Sequence, residues 1–148
     1  MTIWIDADGF PRRQREIALN AAVRWDIAAV AVSDREITVP DAQGVSYTAV
    51  EPGEDSSDSC IVNSMEEHDI ILTRDVLLMQ RCIEQGGICI DDMGNVFTRE
   101  NIGERLSTRV FMEEYRIIHG VQAGSKRPNS REVTQFANTL DRMLRARH

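Results

Sequence analysis

Short, continuous apolar runs recur along the first hundred residues of the chain. They are apolar at almost every position, which is typical of strands buried on both faces of a parallel sheet. The runs are TIWID (residues 2–6), IAAVAVS (27–33), DIILT (69–73) and ICID (88–91). Further short extended segments are predicted at EITVP (36–40), VSYTAV (45–50) and VFT (96–98). The pattern therefore predicts a sheet whose main strands are buried on both sides.

Helical periodicity fills the segments between these runs. Pro11 suits the first turn of a helix through RRQREIALNAAVRW (12–25), in which apolar residues form one stripe. SSDSCIVNSMEEH (56–68) can begin a helix with a serine cap, and RDVLLMQRCIEQGG (74–87) predicts a helix that ends at glycine. Strands that alternate with helices predict an α/β fold, a three-layer sandwich around a central, mostly parallel sheet.

The C-terminal third of the chain is predicted to be helical, over 99–119 and 130–147. In the first of these helices, large apolar residues recur at helical spacing, and such a face more often belongs to a core than to an interface. These residues are Leu106, Val110, Phe111, Tyr115 and Ile118. A length of 148 residues fits one domain, 1–148, with its helical part at 99–148.

Composition is ordinary for a globular protein, with 42% hydrophobic and 28% charged residues. No apolar run approaches the roughly 20 residues of a membrane span, and no secretion signal is recognisable at the start, so a cytoplasmic location is expected. Cys60, Cys82 and Cys89 lack the spacing of a zinc or redox motif and are expected to be reduced.

Acidic residues follow the predicted strands at one edge of the sheet. The carboxyl ends of parallel strands meet at that edge, where α/β sheets bind ligands. Asp58, in the first turn of its predicted helix, can reach the same edge. The acids that directly follow strands are Asp6, Asp8, Asp75, Asp91 and Asp92.

Carboxylates brought together need a compensating charge. Two of them about 4 Å apart repel by roughly 4 kcal/mol at an effective dielectric constant of about 20. Mg²⁺ or Mn²⁺ removes this repulsion, and such ions support phosphodiester hydrolysis. Each acid also has a structural interpretation, which the sequence leaves open: Asp8 in a turn, Asp58 at a helix dipole, Asp75 as an N-cap, and Asp91 and Asp92 in the turn before Gly94.

Charge is segregated along the chain. Residues 1–98 carry 18 acidic and 7 basic residues, whereas residues 99–148 carry 6 acidic and 10 basic ones. Five basic residues of the second part are candidates for binding phosphates of a nucleic acid, although pairing with Glu104, Glu113 and Glu132 on helix surfaces is an equally simple role. The candidates are Arg109, Arg116, Lys126, Arg127 and Arg131.

Several motifs in order resemble the YaiI/YqxD family of uncharacterised bacterial proteins. The segments are IWIDADGFP, SSDSCIV, HDIILTRDVLL, GNVFT, NIGERLSTRVFMEEYR and REVTQFANTLDRML. The chain departs from the family pattern at residues that flank its acids. These are Gly9 and Phe10 in place of the Ala-Cys of DADACP, Ser57 and Ser59 around Asp58, and Leu77 and Met79 within the DIPLA segment.

The resemblance implies a PIN-like nuclease fold. PIN-type nucleases have acids after the first strand, on a central helix and after a later strand, and they cleave single-stranded RNA with Mg²⁺ or Mn²⁺. By position, it implies that the catalytic and metal-binding residues are Asp6, Asp8, Asp58 and Asp75.

Two other classes remain open. The same strand ends are similar to those of haloacid-dehalogenase phosphatases, whose first aspartate is a nucleophile, but the only lysine, Lys126, falls after the expected position. A non-catalytic binding or regulatory protein could keep this scaffold. The sequence leaves enzymatic activity, the choice of RNA, DNA or another phosphoester, and the oligomeric state open.

Overall fold

A computed structural model describes residues 1–53, 55–118 and 129–147, apart from the side chains at positions 109, 113 and 116. Six strands of the described residues form one sheet in the order β3-β2-β1-β4-β5-β6. All neighbouring strands are parallel except β5 and β6. The strands are β1 (Thr2–Asp6), β2 (Ala28–Ser33), β3 (Val45–Ala49), β4 (Ile70–Leu72), β5 (Ile88–Ile90) and β6 (Val96–Phe97).

Helices cover both faces of the sheet. On one face α1 packs against α5, and on the other α2 packs against α3. The helices of the described residues are α1 (Arg12–Trp25), α2 (Ser56–Ser64), α3 (Val76–Glu84), α4 (Ile102–Ile118) and α5 (Ser130–Arg147). The predicted α/β class, a three-layer sandwich around a mostly parallel sheet, is confirmed.

The central strand shows why its sequence is apolar throughout. Side chains of a strand point alternately to opposite faces of the sheet. Ile3 and Ile5 are buried in the core under α1 and α5, whereas Trp4 packs against the core under α2 and α3. Because both faces of β1 are covered, no position between Thr2 and Asp6 faces bulk water fully.

The extended segment predicted at residues 36–40 does not pair in the sheet. β2 and β3 are parallel neighbours, so the chain must return from Ser33 to Val45, and residues 36–40 belong to that return. Ile37 and Val39 pack against the core under α1, which explains why the segment is apolar without pairing in the sheet.

The serine cap predicted for α2 is also wrong. Asp55 occupies the N-cap position, and its side chain makes no hydrogen bond to the helix backbone. Its carboxylate instead accepts hydrogen bonds from Ser59 Oγ and from Arg81, each at 3.1 Å. The Arg81–Asp55 contact therefore connects the start of α2 to α3.

The expectation that the apolar side of α4 lies in the core is wrong. Its body-facing side is formed by Ile102, which packs against the core under α2 and α3, and by Arg105, whose guanidinium lies 5.6 Å from the Phe97 ring. Six large apolar side chains in the second half of α4 are exposed: Val110, Phe111, Met112, Tyr115, Ile117 and Ile118. Among the described residues, no helix is long and apolar enough to cross a membrane.

Candidate functional site

The candidate site lies at the carboxyl ends of β1 and β4, neighbouring strands at the centre of the sheet. The chain leaves β1 through α1 towards β2, and it leaves β4 through α3 towards β5 on the opposite side. The strand order therefore reverses between β1 and β4, and open α/β sheets bind ligands in the crevice outside the carboxyl ends of the strands at such a switch point.

Asp6 is the last residue of β1, and only 8% of its surface is exposed. Its Oδ2 accepts a hydrogen bond of 2.9 Å from the hydroxyl of Thr73, which is fully buried. The same hydroxyl oxygen accepts a 3.0 Å bond from the backbone N–H of Asp75. Thr73 therefore links the end of β1 to the start of α3.

Burial raises the pKa of Asp6 above its ordinary value, and the neighbouring carboxylates of Asp75 and Asp8 raise it further. The hydrogen bond from Thr73 favours the charged form, but it does not cancel these effects. Asp6 thus lies in a place where negative charge is poorly compensated by the protein.

Asp58 occupies the first turn of α2, next to the same crevice. Burial raises its pKa to about 6, with further contributions from Asp75, Asp6 and Asp55 and from a hydrogen-bond contact with Asp75. Like charges that raise one another's pKa must lie close together. Asp58 is therefore a neighbour of Asp75 and Asp6 in the fold, although the three residues come from different parts of the chain.

Asp75 is the N-cap of α3. Its Oδ1 accepts hydrogen bonds from the backbone N–H groups of Leu77 (2.9 Å) and Leu78 (3.4 Å). The structural interpretation of Asp75 as a cap is confirmed. It does not exclude a second role, because both capping bonds use one carboxylate oxygen.

Asp8 lies at the rim of the crevice and is held by several donors. Its oxygens accept hydrogen bonds from Ser33 Oγ, from the backbone N–H of Asp34 at 2.8 Å and from Ser57 Oγ at 3.5 Å. Partial burial alone would raise its pKa, but the bonds from Ser33 and Asp34 and the nearby Arg35 outweigh this and hold its pKa below the ordinary value. Asp8 therefore carries its charge near neutral pH.

Asp91 closes a turn. Its buried carboxylate accepts hydrogen bonds from the backbone N–H groups of Met93 (3.0 Å) and Asn95 (2.9 Å) and from the Asn95 amide (3.0 Å). The Asp92 carboxylate forms an ion pair with Arg74, whose Nε lies 3.8 Å from Asp92 Oδ2. The turn interpretation is confirmed for Asp91, whose carboxylate already has three donors.

The residues predicted to bind phosphates are only partly described. Arg131 is exposed in the first turn of α5. Arg109 and Arg116 lie on α4, but their side chains are outside the described part of the structure, and Lys126 and Arg127 lie outside the described residues.

The donor chemistry of the crevice is that of a hard cation site, with carboxylate and hydroxyl oxygens. In the described residues, however, no group of three or more His, Cys, Asp or Glu side chains is arranged to hold a metal ion. The acids are thus near one another without forming a preassembled set of ligands.

Three hydroxyl side chains at this site, those of Thr73, Ser33 and Ser57, were not among the predicted site residues. Thr73 and Ser33 follow or end the strands on either side of β1, so their positions at strand ends were the available signal. Ser57, a departure from the family pattern, donates to Asp8. Hydroxyl side chains at strand ends carry no charge and therefore stand out less than acids.

These features define an α/β sandwich with aspartates gathered at the switch point of its sheet. The family model described as "Uncharacterized BCR, YaiI/YqxD family" matches residues 4–146. The chain belongs to this family.

Curated relatives carry the name UPF0178 protein. One from Marinomonas sp. is 35% identical over 148 residues, covering 99% of both chains. Another from Pectobacterium atrosepticum is 38% identical over 145 residues, covering 97% of this chain and 96% of the relative. A third, from Marinobacter nauticus, is 37% identical over 144 residues, covering 97% of this chain and 96% of the relative. No solved structure matches the chain.

Proposed function

We propose that this chain is a metal-dependent phosphodiesterase with a PIN-like fold that cleaves single-stranded RNA at the carboxyl edge of its sheet. The observation that supports this most directly is the meeting of β1 and α3 at Thr73, whose hydroxyl donates to the Asp6 carboxylate and accepts from the Asp75 N–H. Burial raises the pKa of Asp6 and of Asp58, and repulsion from the neighbouring carboxylates, Asp75 among them, raises both further. A divalent cation would relieve that repulsion, and carboxylates are the ligands that Mg²⁺ and Mn²⁺ prefer.

The proposed ligands are Asp6, Asp8, Asp58 and Asp75. A bound Mg²⁺ or Mn²⁺ would supply hydroxide near neutral pH and neutralise charge on the leaving oxygen. The protein's part is to hold the carboxylates: Thr73 orients Asp6, and the first turn of α3 fixes Asp75. Small side-chain movements would complete the set, since catalytic groups often tighten only when the site is loaded.

Asp58 has a pKa of about 6 in the metal-free protein, so a cation that binds it must displace its proton at lower pH, and metal binding should weaken as the pH falls below about 6. On the substrate side, the basic residues of the C-terminal part are proposed to contact phosphates, with Arg131 exposed on α5. The proposed set is Arg109, Arg116, Lys126, Arg127 and Arg131.

Metal binding can be tested by following thermal unfolding while Mg²⁺ or Mn²⁺ is added at constant ionic strength. The parent should be stabilised, because ligands that bind only the folded state raise its stability. Asp6→Asn and Asp75→Asn should lose this response. Asp41→Asn, which changes an exposed acid outside the crevice, should keep it. A parent that does not respond to either ion would overturn the proposal.

Activity is then compared on single-stranded RNA, single-stranded DNA and a generic phosphomonoester. Cleavage of RNA alone, lost in Asp6→Asn, is the expected result. A covalent phosphate on Asp6 would instead assign the chain to the phosphatase class. Metal binding without turnover of any of the three would favour a non-catalytic binding protein on the same scaffold.

A further inference from the structure

β3 forms one edge of the sheet, and no strand of the described residues pairs with its outer side. An edge strand offers a row of backbone N–H and C=O groups to other strands, so natural proteins shorten such edges or interrupt them with charged residues or proline. At the opposite edge, β6 has only two residues. β3 has five, VSYTA, without a charge or a proline. It therefore lacks the usual protection of an edge strand.

Two hydrogen bonds at the ends of β3 show which of its backbone groups face outward. The carbonyl of Gly44 accepts a bond from β2, and the N–H of Val50 donates one to β2, each at 2.9 Å. Alternate residues of a strand turn their backbone groups to the same neighbour, so the even-numbered residues bond to β2. The N–H and C=O groups of Tyr47 and Ala49 therefore point away from β2, where no residue of the described ranges bonds to them.

The rest of the chain offers a poor strand for this edge. Outside the described residues, only 119–128 are numerous enough to supply one. Their sequence, HGVQAGSKRP, contains two glycines and a proline, and both residue types are depleted in strands. The preceding helix, α4, begins beside β6 at the far edge of the sheet. A partner with a matching sequence must be sought in another molecule.

We propose that β3 pairs antiparallel with the β3 of a second copy of this chain, with the two-fold axis at Tyr47. An antiparallel ladder maps onto itself about such an axis, and a symmetric dimer requires a self-complementary patch of this kind. Tyr47 then exchanges two backbone hydrogen bonds with Tyr47 of the other copy. The N–H of Ala49 donates to the carbonyl of Val45 on each side of the axis. The two sheets become one continuous sheet.

The side chains of β3 agree with this register. On one face Ser46 lies opposite Thr48 of the other copy, and cross-strand hydroxyl pairs stabilise sheets. On the other face the two Tyr47 rings lie side by side. Tyr47 already packs against the core under α1 and α5, so this apolar layer continues from one copy into the other. Glu51, the first charged residue after β3, lies opposite Gln43, so no like charges face each other.

The mass of the protein in solution tests the dimer. Sedimentation equilibrium at micromolar concentrations should give twice the 16.7 kDa of one chain. Ala49→Pro should be monomeric, because it removes an N–H that the dimer uses and the pairing with β2 does not; proline is tolerated at such positions of edge strands. Ala49→Ser keeps this N–H and should remain dimeric. A monomeric parent, or a dimeric Ala49→Pro variant, would overturn the proposal.

A pair of charge variants tests the register and does not require proline in the strand. Ser46→Lys combined with Thr48→Lys places like charges opposite each other across the interface and should give a monomer. Ser46→Lys combined with Thr48→Glu places opposite charges there and should give a dimer. Both double variants change the same two positions. The same oligomeric state in both would contradict the register about Tyr47.

Amide hydrogen exchange identifies what covers the edge. In the proposed dimer the amides of Tyr47 and Ala49 should be protected, and dilution to the monomer should remove this protection while the other amides of the sheet stay protected. Protection that persists in a monomer would assign the edge to another segment of the same chain. Rapid exchange at every concentration would show an uncovered edge. Either of these last two results would overturn pairing with a second copy.

Discussion

Asp58 is the carboxyl group whose protonation depends most visibly on its neighbours. Its pKa is about 6 in the folded protein against an ordinary value of 3.8, owing to burial and to Asp75, Asp6 and Asp55. Between about pH 4 and pH 6 the folded protein therefore binds more protons at this site than the unfolded chain does. The contribution of Asp58 to the free energy of unfolding falls as the pH rises through that window.

Replacing the charge should remove this pH dependence. Asp58→Asn should unfold at a temperature ~3 °C higher than the parent at pH 7 without divalent ions, and near the parent's temperature at pH 4.5. The effect stays small because Asp58 is partly solvated, which screens its interactions. Thermal unfolding at both pH values measures it, and an equal shift at both would refute the electrostatic origin.

Thr73 should matter for stability more than an isolated hydroxyl would. Thr73→Val keeps the shape of the side chain but leaves the buried Asp6 carboxylate without its 2.9 Å donor. It also removes the acceptor for the Asp75 N–H. We expect the free energy of unfolding, measured in urea, to fall by about 2 kcal/mol, because the desolvation of a buried polar group is then not offset by a hydrogen bond. Thr73→Ser, which keeps the hydroxyl, should lose much less.

At the scale of elements, one residue of the α3 N-terminus has both a structural role and a proposed chemical role. Asp75 caps the helix and is also a proposed metal ligand. Asn is about as good an N-cap as Asp, whereas Ala costs about 1 kcal/mol. Asp75→Ala should therefore unfold at lower urea concentration than Asp75→Asn. Asp75→Asn should be at least as stable as the parent in the absence of metal, because it keeps the cap and relieves the repulsion on Asp6 and Asp58. If Asp75 has only the capping role, Asp75→Asn will retain the parent's full response to Mg²⁺.

The sequence predicted the central elements well because their burial is two-sided. The continuous apolar runs at TIWID and DIILT required covered strands, and the aspartates at their ends followed from the sheet's polarity. Residues 36–40, predicted to be extended, have apolar side chains that pack on the core without pairing in the sheet. An apolar pattern reports burial of side chains, and it does not by itself report backbone pairing.

Some residues that depart from the family pattern belong to the core and others to the candidate site, and only the structure distinguishes them. Phe10 is buried, with its ring centroid 5.5 Å from that of Phe136 on α5, and Met79 is buried under the sheet. A Cβ at Gly9 would lie 3.8 Å from Asp6 Oδ2, an ordinary contact, so the alanine of the family pattern would fit there. Phe10 and Met79 are thus part of the core. Sequence alone could not separate them, because chain neighbours of a site residue can face the core.

For the whole molecule, the uneven distribution of charge along the chain determines which part could attract a nucleic acid. The net charge is −7, and residues 99–148 hold 10 of the 17 basic residues. A polyanion approaching the acidic crevice must therefore be held by local contacts to the C-terminal part, since the overall field of the protein repels it. Local phosphate contacts release counterions, which makes binding weak at high salt.

The salt dependence of RNA binding tests this arrangement. If all five proposed basic residues contact phosphates, the logarithm of the association constant should fall with the logarithm of salt concentration with a slope of roughly −3.5 for a single strand. Replacing Lys126, Arg127 and Arg131 by Gln should make the slope shallower by about 2. The matched change of Arg12, Arg13 and Arg24, exposed on α1, should leave it unaltered. Fluorescence anisotropy with a labelled oligonucleotide measures both slopes. An equal effect of the two triple variants would mean that only net charge matters, and that the C-terminal basic residues do not form a specific RNA-binding surface.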